Sequence, residues 1–147
     1  MKTIWFDMDG TIADLYSVKD WLYYLQNEET YPYEIARPLY NKEYLDILIT
    51  KLKAHGYTIG IISYVAHNST KEYAKRIENA KIEWLNKYFP YATEIHIVQS
   101  TIAKSTFCND DYLVDDEKKN LIDWENAGGR SIDANKNIIW QLWNLVA

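Results

Sequence analysis

Cysteine, proline and glycine are all scarce in this chain: one cysteine, three prolines and five glycines in 147 residues. A lone Cys108 cannot form an internal disulfide, so a disulfide-stapled secreted scaffold is excluded and a reducing compartment is expected. So few prolines and glycines exclude collagen-like, linker-like or low-complexity sequence. No apolar run approaches the roughly 20 residues that cross a bilayer. Acids follow Ile4-Trp5-Phe6 too soon for a signal peptide, so the expectation is a cytoplasmic protein with no membrane partner. Positive charge is short as well, with 16 Lys and Arg against 21 Asp and Glu and a net charge of −5. Gripping a long track of nucleic-acid backbone needs basic side chains, so extended nucleic-acid binding is not expected. A nucleotide or a nucleic-acid end remains compatible as a substrate.

What is present is a globular composition, 48% hydrophobic and 25% charged. The length suits a single domain spanning residues 1–147. Lys2 to Phe6 reads as a buried strand, and Tyr57 to Ile62, Glu94 to Val98, Tyr112 to Val114 and Arg130 to Ile132 read as four more. Between them lie helical patterns. Ser17 to about Asn27 carries Val18, Trp21, Leu22 and Leu25 on one face, with Ser17 as N-cap and Asp20 in capping-box position. Asn41 to His55 keeps Leu45, Leu48, Ile49 and Leu52 in helical register and stops at Gly56. Ser69 and Glu72 form a second capping box, opening a helix striped with Tyr73, Ile77, Ala80, Trp84 and Tyr88. Asp116 to Ala127 and a C-terminal segment with Ile138, Ile139, Leu142, Trp143 and Val146 complete the set. Glu28 to Tyr40, with Pro32 and Pro38, is expected to be irregular. Strands alternating with helices predict an α/β domain with a mainly parallel sheet, whose ligands sit beyond the carboxyl ends of the strands.

Polar groups suited to phosphate chemistry follow three of those strands. The first strand runs into Asp7-Met8-Asp9-Gly10-Thr11, and residues two apart on a strand face the same way. A hard divalent cation needs carboxylate and carbonyl oxygens at close range, which Asp7 and the main chain beyond it can supply. Gly10 allows a sharp turn and a close approach of main chain to ligand. The second strand is followed by Ser63, a hydroxyl able to hold phosphate oxygens. The fourth ends in Asp115-Asp116, and Lys104 lies in the connection before it as a mobile cation. Each feature alone has a plainer reading: a solvated turn, a helix cap, a surface lysine. Their joint order at successive strand ends is what points to a site.

This order resembles the haloacid-dehalogenase-like (HAD) superfamily. Asp7-Met8-Asp9-Gly10-Thr11 matches its nucleophile motif, Ser63 its second, Lys104 its third and Asp115-Asp116 its fourth. Phe6 to Asp14 and Leu113 to Gly129 are similar to 5′(3′)-deoxyribonucleotidases and related small phage or bacterial proteins. The resemblance implies a Rossmann-like three-layer fold with the Asp7 strand central, and a Mg²⁺-dependent phosphatase working through an aspartyl-phosphate on Asp7. It implies Asp9 as acid and base, and Thr11, Ser63 and Lys104 on the phosphoryl oxygens. The implied metal ligands are Asp7, Asp9 through its main-chain carbonyl, Asp115 and, through water, Asp116. A small phosphorylated substrate is implied, a nucleoside monophosphate first, with a sugar phosphate or nucleic-acid end as alternatives.

Residues 14–44 leave room only for a minimal cap or flap. They are rich in aromatics: Tyr16, Trp21, Tyr23, Tyr24, Tyr31, Tyr33, Tyr40 and Tyr44. Anchoring of a short segment by large rings is preferred here over a stacking surface for a base. His67, with Asn68 beside it, is read as loop decoration, His55, His96 and Cys108 as structural, and Glu117-Lys118-Lys119 as a solvated first helical turn. A receiver domain also clusters Asp, hydroxyl and Lys, but in another order along the chain. A sugar transferase reading of Asp7 and Asp9 leaves Ser63, Lys104 and Asp115 unexplained. The competing class is a HAD-like binding module without turnover.

Overall fold

The computed structural model describes residues 2–147. Its five strands are β1 Thr3–Phe6, β2 Thr58–Tyr64, β3 Glu94–Val98, β4 Tyr112–Asp115 and β5 Arg130–Asp133. Its helices are α1 Trp21–Gln26, α2 Tyr31–Ile35, α3 Lys42–Ala54, α4 Lys71–Tyr88, α5 Lys118–Asn126 and α6 Ile138–Trp143, with 3₁₀ turns at Leu15–Ser17 and Lys104–Phe107. All strand pairings are parallel, in the order β3-β2-β1-β4-β5. The expected α/β class and central first strand are both observed.

Side chains alternate across the sheet, as the pleat requires. Ile4, Phe6, Ile59, Ile61 and Val114 enter one buried cluster with Leu45, Leu48 and Leu52 of α3 and Leu142 of α6. Trp5, Ile62 and Leu113 enter another with Leu121 and Trp124 of α5. Helices on both faces explain why the strands read as near-continuous apolar runs. Gly60 is required by this packing, because a Cβ there would lie 2.4 Å from the Trp5 ring.

The chain winds from β1 to β3 in one direction, then crosses back to β4 and β5. The reversal places a crevice beyond the adjacent carboxyl ends of β1 and β4, where such sheets bind ligands. Asp7 and Asp115 stand at those two ends.

Several local expectations change. The helix expected over Ser17 to Asn27 shrinks to α1; Ser17 closes a 3₁₀ turn, and Asp20 is left-handed (φ 61°) with no side-chain cap. The stretch Glu28 to Tyr40 contains α2, because Pro32 occupies its first turn, where no intrahelical N–H is needed. The cap of α4 is Thr70, whose hydroxyl accepts from the Tyr73 N–H, while Ser69 turns back to the Ala66 carbonyl. Asn41 does cap α3, accepting from the Tyr44 N–H at 3.1 Å. α5 begins at Lys118 rather than Asp116, which leaves Asp116 in the turn after β4.

Candidate active site

The loop after β1 is a tight turn held by its own main chain. Three N–H groups, of Thr11, Ile12 and Ala13, donate to the Met8 carbonyl at 2.9–3.1 Å, and the Gly10 N–H donates to the Ala13 carbonyl. Gly10 adopts φ +79°, and a Cβ on it would meet the Asp116 carboxylate at 2.4 Å and the Tyr16 ring at 2.9 Å. Glycine is thus what lets Asp116 and Tyr16 close over the turn.

Asp7, directly after β1, is buried, as is Asp115 at the end of β4. Each of Asp7, Asp115 and Asp116 offers a carboxylate oxygen within 4.8 Å of the others. Lys104 bridges two of them, its Nζ at 2.8 Å from Asp7 Oδ1 and 2.7 Å from Asp115 Oδ2. This lysine is 2% exposed and fixed on its 3₁₀ turn, so it is a clamped cation rather than the mobile one expected. The two carboxylates hold its ammonium above the ordinary lysine range against the opposing effect of burial. The Glu117 N–H and the Asn120 side-chain amide complete the shell around Asp115.

One ammonium does not balance three crowded carboxylates. Burial, then the Asp7 charge, raises Asp115 to about 6 and Asp116 to about 8. Crowded hard oxygen donors with surplus negative charge fit a divalent cation such as Mg²⁺. The Asp9 carboxylate is not in this group. It forms an ion pair with Lys81, Nζ to Oδ2 at 2.8 Å. Burial raises the Asp9 pKa, and the Lys81 charge acts the other way.

Thr11 and Ser63 do not line the small acidic cavity and are held by protein partners. The Thr11 hydroxyl lies 3.3 Å from both Asp7 Oδ2 and Asp116 Oδ1, tying the two carboxylates together. Ser63 falls inside β2, fully buried, and its Oγ accepts from Lys81 at 2.8 Å. Lys81 itself escaped the sequence reading. Its signal was visible: it lies four residues after Ile77 and three before Trp84, so a charge sits on the apolar stripe of α4.

Two cavities meet at these residues. One, of about 250 Å³, is lined by Asp7, Asp9, Lys104, Asp115 and Asp116. The other, of about 490 Å³, is walled by Tyr16, Trp21, Leu22, Tyr33, Val65 and His67. Asp9, Tyr16 and Tyr64 line both. The second cavity lies under residues 14–44, which are tied to α4 by Tyr73 Oη to the Glu29 carbonyl (2.7 Å), Arg76 to the Glu28 carbonyl (2.9 Å) and Trp84 Nε1 to the Ala36 carbonyl (2.7 Å).

The aromatics of that segment divide by role. Tyr33 is buried against Leu15, Val65, Tyr73 and Ile77 and anchors the segment. Tyr16 and Trp21 meet edge to face at 5.0 Å and turn toward the cavity. Tyr24 and Tyr31 pack on each other outside its lining. His67 is part of the wall, its Nδ1 2.9 Å from Ser100 Oγ. His96 stacks on Phe107 at 4.2 Å, away from the site.

No protein-family model matches the sequence, and no curated protein matches it. Solved structures do. The D,D-heptose 1,7-bisphosphate phosphatase of Burkholderia thailandensis superposes with a TM-score of 0.55 at 16% identity, over 88% of this chain and 76% of that one. A HAD-family enzyme from Bacteroides thetaiotaomicron gives 0.52 at 11% identity, over 96% and 98% of the two chains. Its magnesium complex gives 0.51 at 11% identity, over 94% and 96%. Among the described residues no helix is long and apolar enough to cross a membrane. The five-stranded parallel sheet and its flanking helices are therefore the fold shared with this bisphosphate phosphatase and this HAD-family enzyme.

Proposed function

We propose that this chain is a Mg²⁺-dependent phosphomonoester hydrolase acting through an aspartyl-phosphate on Asp7. The observation that carries the reading is the convergence of Asp7, Asp115, Asp116 and Lys104 on one small cavity at the switch point of the sheet. Asp7, the Asp9 main-chain carbonyl, Asp115 and, through water, Asp116 would hold Mg²⁺, which supplies neutralisation of phosphoryl charge. One HAD-family neighbour is a magnesium complex, in keeping with that assignment.

The chain's own groups divide the work. A carboxylate oxygen of Asp7 attacks phosphorus as the bond to the leaving oxygen breaks. Asp9 acts from its carboxylic-acid form, which burial favours, and gives that proton to the leaving oxygen. The carboxylate so formed, paired with Lys81, takes one from the water that hydrolyses the acyl phosphate and frees Asp7. Lys104 opposes the charge of Asp7 and of the equatorial phosphoryl oxygens. Asp9 suits its part because it lines both cavities, where a bond between phosphoryl group and leaving group would lie. Thr11 holds Asp7 and Asp116 in register, and Ser63 acts through Lys81.

The larger cavity sets the leaving group. Its lining is mainly aromatic and aliphatic, with Gln26, His67 and Ser100 as polar members, Asp9 as the carboxylate, and no Lys or Arg. A second phosphate on the leaving group would meet no Lys or Arg there, so a bisphosphate such as the one in the name of the Burkholderia neighbour is not the substrate proposed. A flat, uncharged leaving group fits the walls formed by Tyr16 and Trp21, so a nucleoside monophosphate is the substrate class proposed.

The test is phosphate release from nucleoside monophosphates, sugar monophosphates and sugar bisphosphates, with Mg²⁺ or EDTA, by wild type and Asp7→Asn. Metal-dependent release that vanishes in Asp7→Asn, fastest with nucleoside monophosphates, is expected. Folded wild-type protein that releases phosphate from none of them would favour a binding module instead.

A further inference from the structure

The active site contains a second buried lysine, on a different element from Lys104. Lys81 projects from the middle of α4 and is 1% exposed. An ammonium has three N–H donors, and all three of Lys81 are taken: by Asp9 Oδ2 at 2.8 Å, Ser63 Oγ at 2.8 Å and the Tyr64 carbonyl at 2.7 Å. Its Nζ also lies 4.9 Å from the centre of the Tyr33 ring, which covers it from the side of residues 14–44. Lys81 does not line either cavity, so it has no face for substrate.

Burying a lysine inside an apolar stripe is costly unless its charge and its donors are met. Ser63 and the Tyr64 carbonyl anchor the ammonium to β2, the strand next to β1. The anchored ammonium then takes one oxygen of Asp9 and leaves Oδ1 for a ligand. Asp9 stands beyond the end of β1, where an isolated bridge to Ala13 holds its main chain but leaves its side chain to be fixed by other contacts. Its ion pair with α4 does so.

We propose that Lys81 is a positioning residue for proton transfer: it locks the Asp9 carboxylate at the junction of the two cavities, with Oδ1 turned to the leaving-group oxygen. This rests on the reading of Asp9 as acid and base. Lys104 and Lys81 thus serve different groups, the first the nucleophile and the second the proton donor. Proton transfer by a placed group contributes on the order of 10²–10⁴ in rate, and misplacement forfeits much of it.

The test uses two esters of similar shape, 4-nitrobenzyl phosphate and 4-nitrophenyl phosphate. The benzyl alkoxide is strongly basic and must be protonated as it leaves, whereas 4-nitrophenolate leaves without help. The quantity read is kcat/KM, which reports the first chemical step, for wild type, Asp9→Asn and Lys81→Met. Both variants are expected to lose roughly a hundredfold or more on the benzyl ester and less than about tenfold on the phenyl ester. A lysine that merely supports the fold would lower both esters alike, and that result for Lys81→Met beside a split for Asp9→Asn overturns the proposal. Equal losses on both esters for Asp9→Asn would overturn the acid–base reading of Asp9 itself. Should Lys81→Met fail to fold around an unpaired Asp9, the double variant Asp9→Asn/Lys81→Met removes both charges. It is expected to match Asp9→Asn within about threefold on each ester, since Lys81 acts through Asp9; a further tenfold fall overturns the proposal.

Discussion

On one side of Asp9 the site is charged, buried and held by the sheet; on the other it is aromatic and partly exposed. Asp7 and Asp115 stand at strand ends and Lys104 on the 3₁₀ turn before β4, and all three are at most 8% exposed. Tyr16 and Leu22, on the opposite side, are about half exposed, at 52% and 50%, and belong to the short segment 14–44. Asp7 and Asp115 derive their placement from parallel ladders that also carry the core, and Lys104 is clamped between them. The segment's side is attached to α4 by a few side chain to main chain hydrogen bonds and one apolar cluster. On the proposed reading such a division separates chemistry from selection: charge placement on the rigid base would set the rate of bond breaking, and the looser apolar wall would choose the leaving group.

Substitutions that separate the two sides should show that division. Asp7→Asn keeps shape and burial but removes the proposed nucleophile; kcat should fall on the order of 10⁴-fold or more, with an unchanged circular dichroism spectrum. Residual turnover close to wild type would dissolve the distinction between the two sides. Lys104→Met leaves the carboxylates without their cation, and kcat should fall about 10²–10³-fold. The same variant should gain more thermal stability from Mg²⁺ than wild type does, because the ion is then the main counter-charge in the cluster.

Changes on the aromatic side should be milder and of another kind. Tyr16→Ala and Trp21→Ala each should raise KM for a nucleoside monophosphate by roughly tenfold, the scale of one lost stacking contact. kcat should stay within about threefold. A large kcat loss with unchanged KM, seen in steady-state kinetics, would place these rings in the chemistry rather than in selection.

The smallest effect concerns stability. Asp115 and Asp116 are raised from an ordinary 3.8 to about 6 and about 8 in the metal-free protein, by burial first and the Asp7 charge second. A carboxyl raised on folding binds more protons folded than unfolded between the two values. Metal-free stability should therefore decline as pH rises from about 4 toward 8, from these groups. Mg²⁺ should offset the decline, so melting curves at pH 5 and pH 8 should show the larger metal-induced shift at pH 8. An equal shift at both would separate the metal from these carboxylates.

Much of the charged side was legible in the sequence because it is written in short segments. Asp7 to Thr11 and Asp115-Asp116 each follow an apolar run directly, so locating the strand locates the group. Ser63 was found by the same rule, yet its partner was not foreseen, since β2 extends two residues further, to Tyr64, and buries the hydroxyl against α4. The helix expected from Ser17 failed for a local reason: its apolar spacing was helical, but the chain turns through a left-handed Asp20 to bring Tyr16 and Trp21 over the cavity. The cap at Thr70 in place of Ser69 is a one-residue choice between adjacent hydroxyls, which sequence pattern does not resolve.

Alternating apolar strands, helical stripes and strand-end acids determined from sequence alone that the chain is a parallel α/β domain with Asp7 at the crevice beyond the strand ends. Those features depend on each residue and its close neighbours. What only the tertiary structure decided is the pairing of charges across distance: Lys104 with Asp7 and Asp115, and Lys81 with Asp9. Asp9 and Lys81 stand 72 residues apart, and only the packing of α4 against the sheet brings them together. Burial then makes the encounter obligatory, because a lysine or an aspartate withdrawn from water must find its partner or lose its charge.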